Sequence, residues 1–341
     1  MRGSNEVRFE FTAGKETLNV LSFTIDEGLS TPFCGKFELS SRQRQINADD
    51  MLNMTGTLKI YQNKKLTRIF SGIVQRFEKG DYTGPETRYY LTLVPAFARL
   101  SLRHNSRIFQ HKSVTDILEV MLKEMRITNY RLRMMNPHEK RDYCVQYRET
   151  DLDFLHRILA EEGIAYFFEY EENQHEMVFN DYTPRSTKVQ MEGDLLYNPS
   201  ASAMPDKPYM RHFQLQHEVK PTHVELAEYD FQSPKFLMTH WGMGYETEAQ
   251  NGTYEYYDYP ARYSRRDVGQ TFTKARINYL RQDASTATGK SNLAVLMPGF
   301  YFELKAQYIP AHNRTWLLTH VRHIGSPHGR DFQLLYQHPA L

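Results

Sequence analysis

The sequence predicts a mainly β fold of the α+β class, made of antiparallel sheet with a few short helices. Three observations carry this. Apolar and polar residues alternate over most of the first hundred positions and again near the end, the period of a strand with one buried face. Apolar residues fall at helical spacing in only three stretches, near 114–125, 150–163 and 268–279. Aromatic residues make up 13% of the chain, with 23 Tyr and 20 Phe, an enrichment suited to strands and buried interfaces. The 341 residues are enough for two or three domains with a sizeable core.

The elements follow in order. Val7, Phe9 and Phe11 alternate with Arg8, Glu10 and Thr12, a half-buried strand. Leu21, Phe23 and Ile25 repeat the pattern, Gly28 and Pro32 break it, and Phe37 and Leu39 resume it. Leu58 and Ile60 lead into Gln62-Asn63-Lys64-Lys65, a hairpin turn before the run Leu66 to Phe77. Tyr89, Leu91 and Leu93 alternate until Pro95 ends the strand.

Helix follows. Ser113 with Asp116 three residues on is a capping pattern, and Val114, Ile117, Leu118, Met121, Leu122 and Met125 then line one face. A second helix starts at Thr150, buries Leu152, Leu155, Ile158 and Leu159, and stops at Gly163. Ile164 to Tyr170 and Met177 to Phe179 read as a hairpin. Residues 183–210, with Pro184, Pro199, Pro205 and Pro208, form the best boundary. Strand patterns resume at Phe213 to Val219 and Val224 to Tyr229. A Tyr-rich loop, Tyr254 to Tyr263, precedes a helix with Val268, Phe272, Ala275 and Tyr279 on one face, and strands return from Gly299.

The end of the chain echoes an earlier part. Gly56 to Tyr61, Arg68 to Arg76 and Tyr89 to Val94 are followed by Pro95-Ala96. Gly299 to Leu304, Thr315 to Arg322 and Phe332 to Tyr336 are followed by Pro339-Ala340. Two readings stand: two similar β-barrels in one chain, or a chance recurrence of a common strand–turn–strand–loop–strand pattern. Closed barrels would leave no exposed sheet edges, and three chains with two barrels each would make a ring of six similar units.

Charge and composition narrow the function. The formal net charge is +1, so no global field favours nucleic acid or a membrane surface. No stretch approaches the roughly 18 apolar residues needed to span a bilayer, and Met1 to Asn5 has no secretory signal core. Cys34 and Cys144 form neither a disulfide framework nor a metal quartet and read as two reduced, buried thiols.

The segment 145–168 crowds Glu149, Asp151, Asp153, His156, Glu161 and Glu162 around one short helix, which invites a catalytic or metal-binding reading. The spacing opposes it. A zincin helix carries two histidines four apart, and here there is one. Asp151 and Asp153 sit about 200° apart on a helix, and acids in a first turn serve the cap and the helix dipole. His156 follows Leu152 by four residues, beside the apolar stripe, which fits a packed or hydrogen-bonded histidine. HExxH, paired CxxC, GxSxG, Walker and GxGxxG patterns are missing, and Gly289-Lys290-Ser291 lacks the earlier glycine of a phosphate loop. No catalytic, cofactor-binding or metal-ligating residue is therefore assigned.

Several segments resemble the VgrG family, the valine-glycine repeat spike proteins of the bacterial type VI secretion system. They are Leu29-Ser30 with Phe37-Glu38-Leu39; Leu93 to Leu100; His104 to Gln110; Gln146 to Thr150 through Glu161-Glu162-Gly163-Ile164; Gly289-Lys290-Ser291; Pro298-Gly299; Phe302-Glu303-Leu304; and Thr319-His320-Val321. The family is similar to the baseplate hub of contractile-tailed phages. The resemblance implies a first β-barrel at 5–98, an α+β lobe at 99–205, a second β-barrel at 206–235 and 295–341, and an inserted segment with a helix at 236–294. It implies a structural, non-enzymatic homotrimer with pseudo-sixfold symmetry. Such a trimer would cap the hexameric tube protein, Hcp, carry the puncturing tip, and meet baseplate components and effectors. No cofactor, nucleic acid or stable membrane insertion is implied. The trimer would assemble in the bacterial cytoplasm and leave through the type VI system without a signal peptide. The family's oligonucleotide-binding-fold barrel and β-helix are not in this sequence, so it reads as the hub portion. The competing expectation is a hydrolase effector using His156 and the carboxylates of 149–162.

Overall fold

The structure is a computed structural model that describes residues 7–62, 64–171, 174–182, 188–191, 194–200, 208–231, 234–236, 238–245, 250, 252–263, 265–326 and 332–337. Asn63, Pro184, Pro205 and the Pro339-Ala340 pair lie outside them. Strands β1 (Val7–Ala13), β2 (Glu16–Gly28), β3 (Thr31–Ser41), β4 (Thr55–Gln62), β5 (Lys65–Thr83) and β6 (Glu86–Val94) come first. Next are β7 (His104–Lys112), helix α1 (Val114–Glu124), β8 (Tyr130–Arg133) and β9 (Arg141–Thr150). Helix α2 (Asp151–Glu161) leads to β10 (Ala165–Glu171), β11 (Gln174–Asn180), β12 (Leu195–Tyr197) and β13 (Tyr209–His217). Then follow β14 (His223–Glu228), β15 (Met238–Met243), β16 (Glu255–Asp258) and helix α3 (Arg266–Leu280). Strands β17 (Ser285–Ser291), β18 (Tyr301–Lys305), β19 (Thr315–Gly325) and β20 (Phe332–Gln337) end the chain.

Twelve strands form two closed rings. The first runs β1-β4-β5-β6-β3-β2 and closes through β1–β2 pairing. The second runs β12-β18-β19-β20-β17-β13 and closes through β12–β13. Taken in chain order, both rings have the same cyclic order: first, fourth, fifth, sixth, third, second. The echoed segments fall on equivalent strands, β4-β5-β6 and β18-β19-β20, so the recurrence is a repeated barrel rather than chance. The rings differ at their first strand: β1 is antiparallel to both neighbours, and the short β12 is parallel to both.

Two long strands join the rings. The start of β2 pairs with β1 at Leu18–Glu16, whereas Phe23 to Gly28 pair with β19. The start of β19 pairs with β18, whereas His320 to Gly325 pair with β2. Each strand thus closes its own ring with one half and reaches the other ring with the second half.

Three elements depart from the division that the resemblance implied. Strand β17 lies within 236–294 but pairs with β13 and β20 in the second ring. Its buried residues are Ala287, Gly289 and Ser291, so it carries no hydrophobic alternation to read. Strand β12 belongs to the second ring although it lies within 99–205. Strand β14 belongs to a separate three-stranded sheet, β15-β14-β16, backed by α3.

Between the rings lies the lobe that holds α1, α2, the β7–β9 pair and the β10-β11-β8 sheet. Its apolar residues share one core with the first ring, from Phe11 and Leu93 to Leu118 and Leu155. Phe167 and Val178 turn the other way, into the core of the second ring. Helix α1 begins with a full capping box between Ser113 and Asp116. Helix α2 is capped by Thr150, whose Oγ1 accepts from the Asp153 amide at 3.0 Å. It ends in a Schellman turn at Gly163 (φ 70°), with Ile164 N–H on the Leu159 carbonyl and Gly163 N–H on that of Ala160.

Both helix faces differ in detail from the sequence reading. In α2, Phe154 is buried and Leu152 only half-buried, and Asp151 is fully buried. In α3, Tyr279 is exposed, and the buried face is Gly269, Phe272, Thr273 and Ile277. Small residues set that face, because they let the helix approach the sheet: a Cβ at Gly269 would lie 2.4 Å from the His240 ring. Cys144 is buried, while Cys34 is only half-buried. No helix among the described residues is long and apolar enough to cross a membrane.

Leu155→Ala should lower stability by about 2–5 kcal/mol, the cost of emptying a closed leucine site. A melting curve matching the parent's would show that α2 does not anchor the lobe.

Candidate functional site

The crowded carboxylates around α2 are taken up by a cap and by several arginines rather than converging on one point. Asp151 accepts from Arg103 Nε and from Gln146 Nε2, the latter at 2.8 Å. Asp153 accepts from the Thr150 hydroxyl at 2.7 Å. Glu149 takes Arg157 Nη2 at 2.6 Å. Glu161 and Glu162 share Arg141, through Nη1 at 2.6 Å and Nη2 at 2.7 Å. Glu162 also meets His138 Nδ1 at 2.5 Å, and this bond raises the His138 pKa.

His156 joins none of them. Its Nε2 lies 2.8 Å from the Tyr166 hydroxyl, and the two rings stack at 5.7 Å. Burial pushes its pKa down, so it sits neutral against an aromatic wall. The structure therefore gathers Glu161, Glu162, Arg141 and His138, and it leaves His156 without a hydrogen bond to any carboxylate among the described residues. No group of three or more His, Cys, Asp or Glu among the described residues is arranged to hold a metal ion.

A different cluster lies where the two rings and the lobe meet. Glu27 on β2 is buried, and Arg68 Nη2 on β5 donates to both its oxygens, at 2.9 and 2.8 Å. His323 on β19 reaches the same carboxylate, with Nε2 2.7 Å from Oε1. The carboxylate can only accept, so this nitrogen carries the proton. His175 on β11 closes the lobe side. Its Nδ1 lies 3.0 Å from the Ser71 carbonyl, and its ring stacks on Phe168 and meets Phe33 edge-on, both at 5.1 Å. Phe70 packs against the His323 ring at 5.1 Å and lies under the Arg68 guanidinium at 4.9 Å.

Backbone contacts complete this junction. Leu29 N–H donates to the Thr319 carbonyl and Ser30 N–H to the Tyr166 carbonyl, both at 2.8 Å. Ser30 holds a positive φ of 52°. Gly299 N–H donates to the Leu318 carbonyl at 2.8 Å, and a Cβ at Gly299 would lie 2.8 Å from the Phe167 ring. Its φ of 86° also favours glycine.

Burial alone would raise the Glu27 pKa, but the Arg68 charge and the His323 hydrogen bond outweigh it and hold the carboxyl below its ordinary range. Burial pushes His323 down. Burial also pushes His175 down, to about 4. A second cause acts on His175 in the same direction: its Nε2 is buried without a hydrogen-bond partner among the described residues, so a proton there would be unsolvated. The folded cluster is one carboxylate, one guanidinium and two neutral imidazoles.

The sequence reading missed this cluster. One signal was present: Glu27 continues the inward phase of Phe23 and Ile25, a charge at an apolar position. Only the fold shows that its partners lie 41 and 296 positions away.

The model of the phage tail baseplate hub (GPD) family matches residues 26–329. The chain belongs to the phage tail baseplate hub family. The hub chain is 38% identical over 319 residues to the actin cross-linking toxin VgrG1 of Vibrio cholerae. It is 36% identical over 320 residues to the type VI secretion system spike protein VgrG3 of the same species. It is 33% identical over 324 residues to spike protein VgrG2b of Pseudomonas aeruginosa. These alignments cover 91–94% of this chain and 29–32% of those proteins, so the hub chain spans about a third of their length.

Solved structures share the fold. The E. coli c3393 protein, a type VI secretion component with structural similarity to the T4 bacteriophage tail proteins gp27 and gp5, superposes with a TM-score of 0.70 at 19% identity. The match covers 96% of this chain and 75% of that one. The 43 kDa tail protein of prophage MuSo2 from Shewanella oneidensis matches with a TM-score of 0.67 at 9% identity, over 98% and 99% of the two chains. Of the segments on which the hub resembles VgrG, Leu29-Ser30, Pro298-Gly299 and Thr319-His320-Val321 meet at the junction.

Glu27→Ala should cost about 3–5 kcal/mol, because it strands a buried guanidinium, while Glu27→Leu combined with Arg68→Met should recover most of that. A Glu27→Ala protein that melts like the parent would remove the cluster from the account. Acid should also destabilise the hub. His175 and His323 are neutral when folded and protonate below about pH 6.5 when unfolded, so stability falls as pH drops from there toward their lower folded values. Melting temperature followed from pH 7 to 4 should show this slope, and His175→Gln should flatten it; an unchanged slope in the variant would contradict the assignment.

Proposed function

We propose that this chain is the hub portion of a type VI secretion spike, a structural homotrimer with pseudo-sixfold symmetry. The observation that carries the reading is the pair of rings with one strand order in a single chain. Three copies would present six similar barrels, a match for a hexameric tube protein such as Hcp. In this reading the first ring, β1 to β6, and the second ring, β12, β13 and β17 to β20, form the hub ring. The lobe braces them, and the β14–β16 sheet with α3 is an insertion into the second ring. The hub caps the tube, carries the puncturing tip, and meets baseplate components and effectors. It assembles in the cytoplasm and is secreted with the spike. Membership of the hub family and the VgrG relatives support this role.

We further infer that the hub chain is not an enzyme. The carboxylates of 149–162 are each engaged by a cap or an arginine, and His156 faces Tyr166. His156→Ala and Glu161→Gln should therefore change melting temperature and abolish no hydrolysis of peptide, glycan or phosphate substrates.

Light scattering over a range of concentrations should show a trimer, and electron microscopy with purified tube hexamers should show rings capped by it. A species that stays monomeric and never engages tube hexamers, also when the complete spike chain is used, would refute the proposal.

A further inference from the structure

The sheet β15-β14-β16 has one covered face and one open face. Val224 and Leu226 are buried toward α3, and a Cβ at Gly242 would meet the Thr273 methyl at 3.0 Å. Tyr256 points the same way, with its hydroxyl 2.8 Å from Arg276 Nη2. Strand residues alternate faces, so His223, Glu225, Trp241, Met243, Glu255 and Tyr257 project from the other side. The register lines them up. Glu225 is directly opposite Trp241 on β15 and Tyr257 on β16. His223 is opposite Met243 and Glu255 in the next row.

The row Trp241–Glu225–Tyr257 is thus a carboxylate between two aromatic side chains. Trp241 is 61% exposed and Tyr257 59%. Two strand spacings separate them, about 10 Å, room for one extended side chain between the rings. Glu225 makes no ion pair among the described residues, whereas Glu255 on the same face lies 3.9 Å from His223 Nε2, and the face carries no lysine or arginine. The backing is firm: α3 packs directly on the covered face, and the Tyr263 hydroxyl bonds the Leu226 and Met238 carbonyls.

We infer that this open face is a docking surface for a basic segment of a partner protein, which seats an arginine or lysine over Glu225 between Trp241 and Tyr257. Aromatic faces attract cations, and an unpaired carboxylate beneath adds complementary charge. The same carboxylates, Glu225 and Glu255, repel phosphate, which disfavours a nucleic acid. The inference does not depend on trimerisation or on the tube.

The chain holds two tryptophans, and Trp316 is fully buried, so a change in tryptophan emission on binding reports Trp241. The probe is a fluorescein-labelled peptide of alternating arginine and glycine, titrated by anisotropy against the intact hub at low and at physiological ionic strength. Binding should be salt-sensitive and should shift or quench the tryptophan emission. Trp241→Ala and Glu225→Gln should each weaken it by roughly tenfold. Asp49→Asn, at an exposed position between β3 and β4, should leave it unchanged, and all three variants should melt like the parent, since none of the three side chains belongs to a described core. Three results would each overturn the inference. They are no binding, binding that falls equally in Asp49→Asn, and a neutral oligosaccharide that quenches Trp241 where the peptide does not.

Discussion

The Glu27 carboxylate, held between Arg68 and His323, is the constraint on which the arrangement of the hub depends. Its three side chains come from two strands of the first ring and one of the second. A buried carboxylate without partners would cost several kcal/mol, so the first ring cannot keep Glu27 inside unless both cations or donors are in place. Moving the second ring relative to the first would withdraw His323 and leave that carboxylate under-satisfied. Association of the rings is therefore tied to the charge balance of one of them. Outside the cluster the seam is reinforced at the surface, where Arg322 Nε donates to Asp26 at 2.5 Å.

The lobe enters the same account. His175 and Phe168 come from its hairpin and close the cluster on the third side, and at the tip of the first ring's hairpin Ser30 N–H donates to the Tyr166 carbonyl while Tyr166 N–H donates to the Ser30 hydroxyl. Helix α2 holds that hairpin. Its Schellman turn sets the direction of β10, and Tyr166 lies between Phe97, Phe179 and His156. The block 145–168 is thus a brace whose charges are spent on its own fixation. Its acids cap a helix or bind arginines, and its histidine packs on a tyrosine.

Much of the fold was legible because its signals are local. Alternation marked β1 to β6 and β18 to β20, and capping residues marked the start of α1 and both ends of α2. The repeat of strand, turn and strand near the two ends of the chain was visible as a pattern, although only strand order made it a repeated barrel. Strand β17 was not legible, since small residues can face a barrel interior without leaving an apolar period. The buried face of α3 was misread for a related reason: glycine and threonine were chosen there for closeness rather than for hydrophobicity.

By itself, the sequence determined the class of fold, the two capped helices, the absence of familiar catalytic spacings and the resemblance to VgrG. These depend on residues within a few positions of one another, where periodicity and capping chemistry act. Tertiary structure alone decided where the charges go. Asp151 is buried on Arg103, 48 positions away, and Glu27 on His323, 296 positions away. A charged residue is stable inside only when distant partners arrive together, and no local pattern encodes that meeting. The same holds for the aromatic and acidic row on the β14–β16 sheet, which exists only because three separate strands pair in one register.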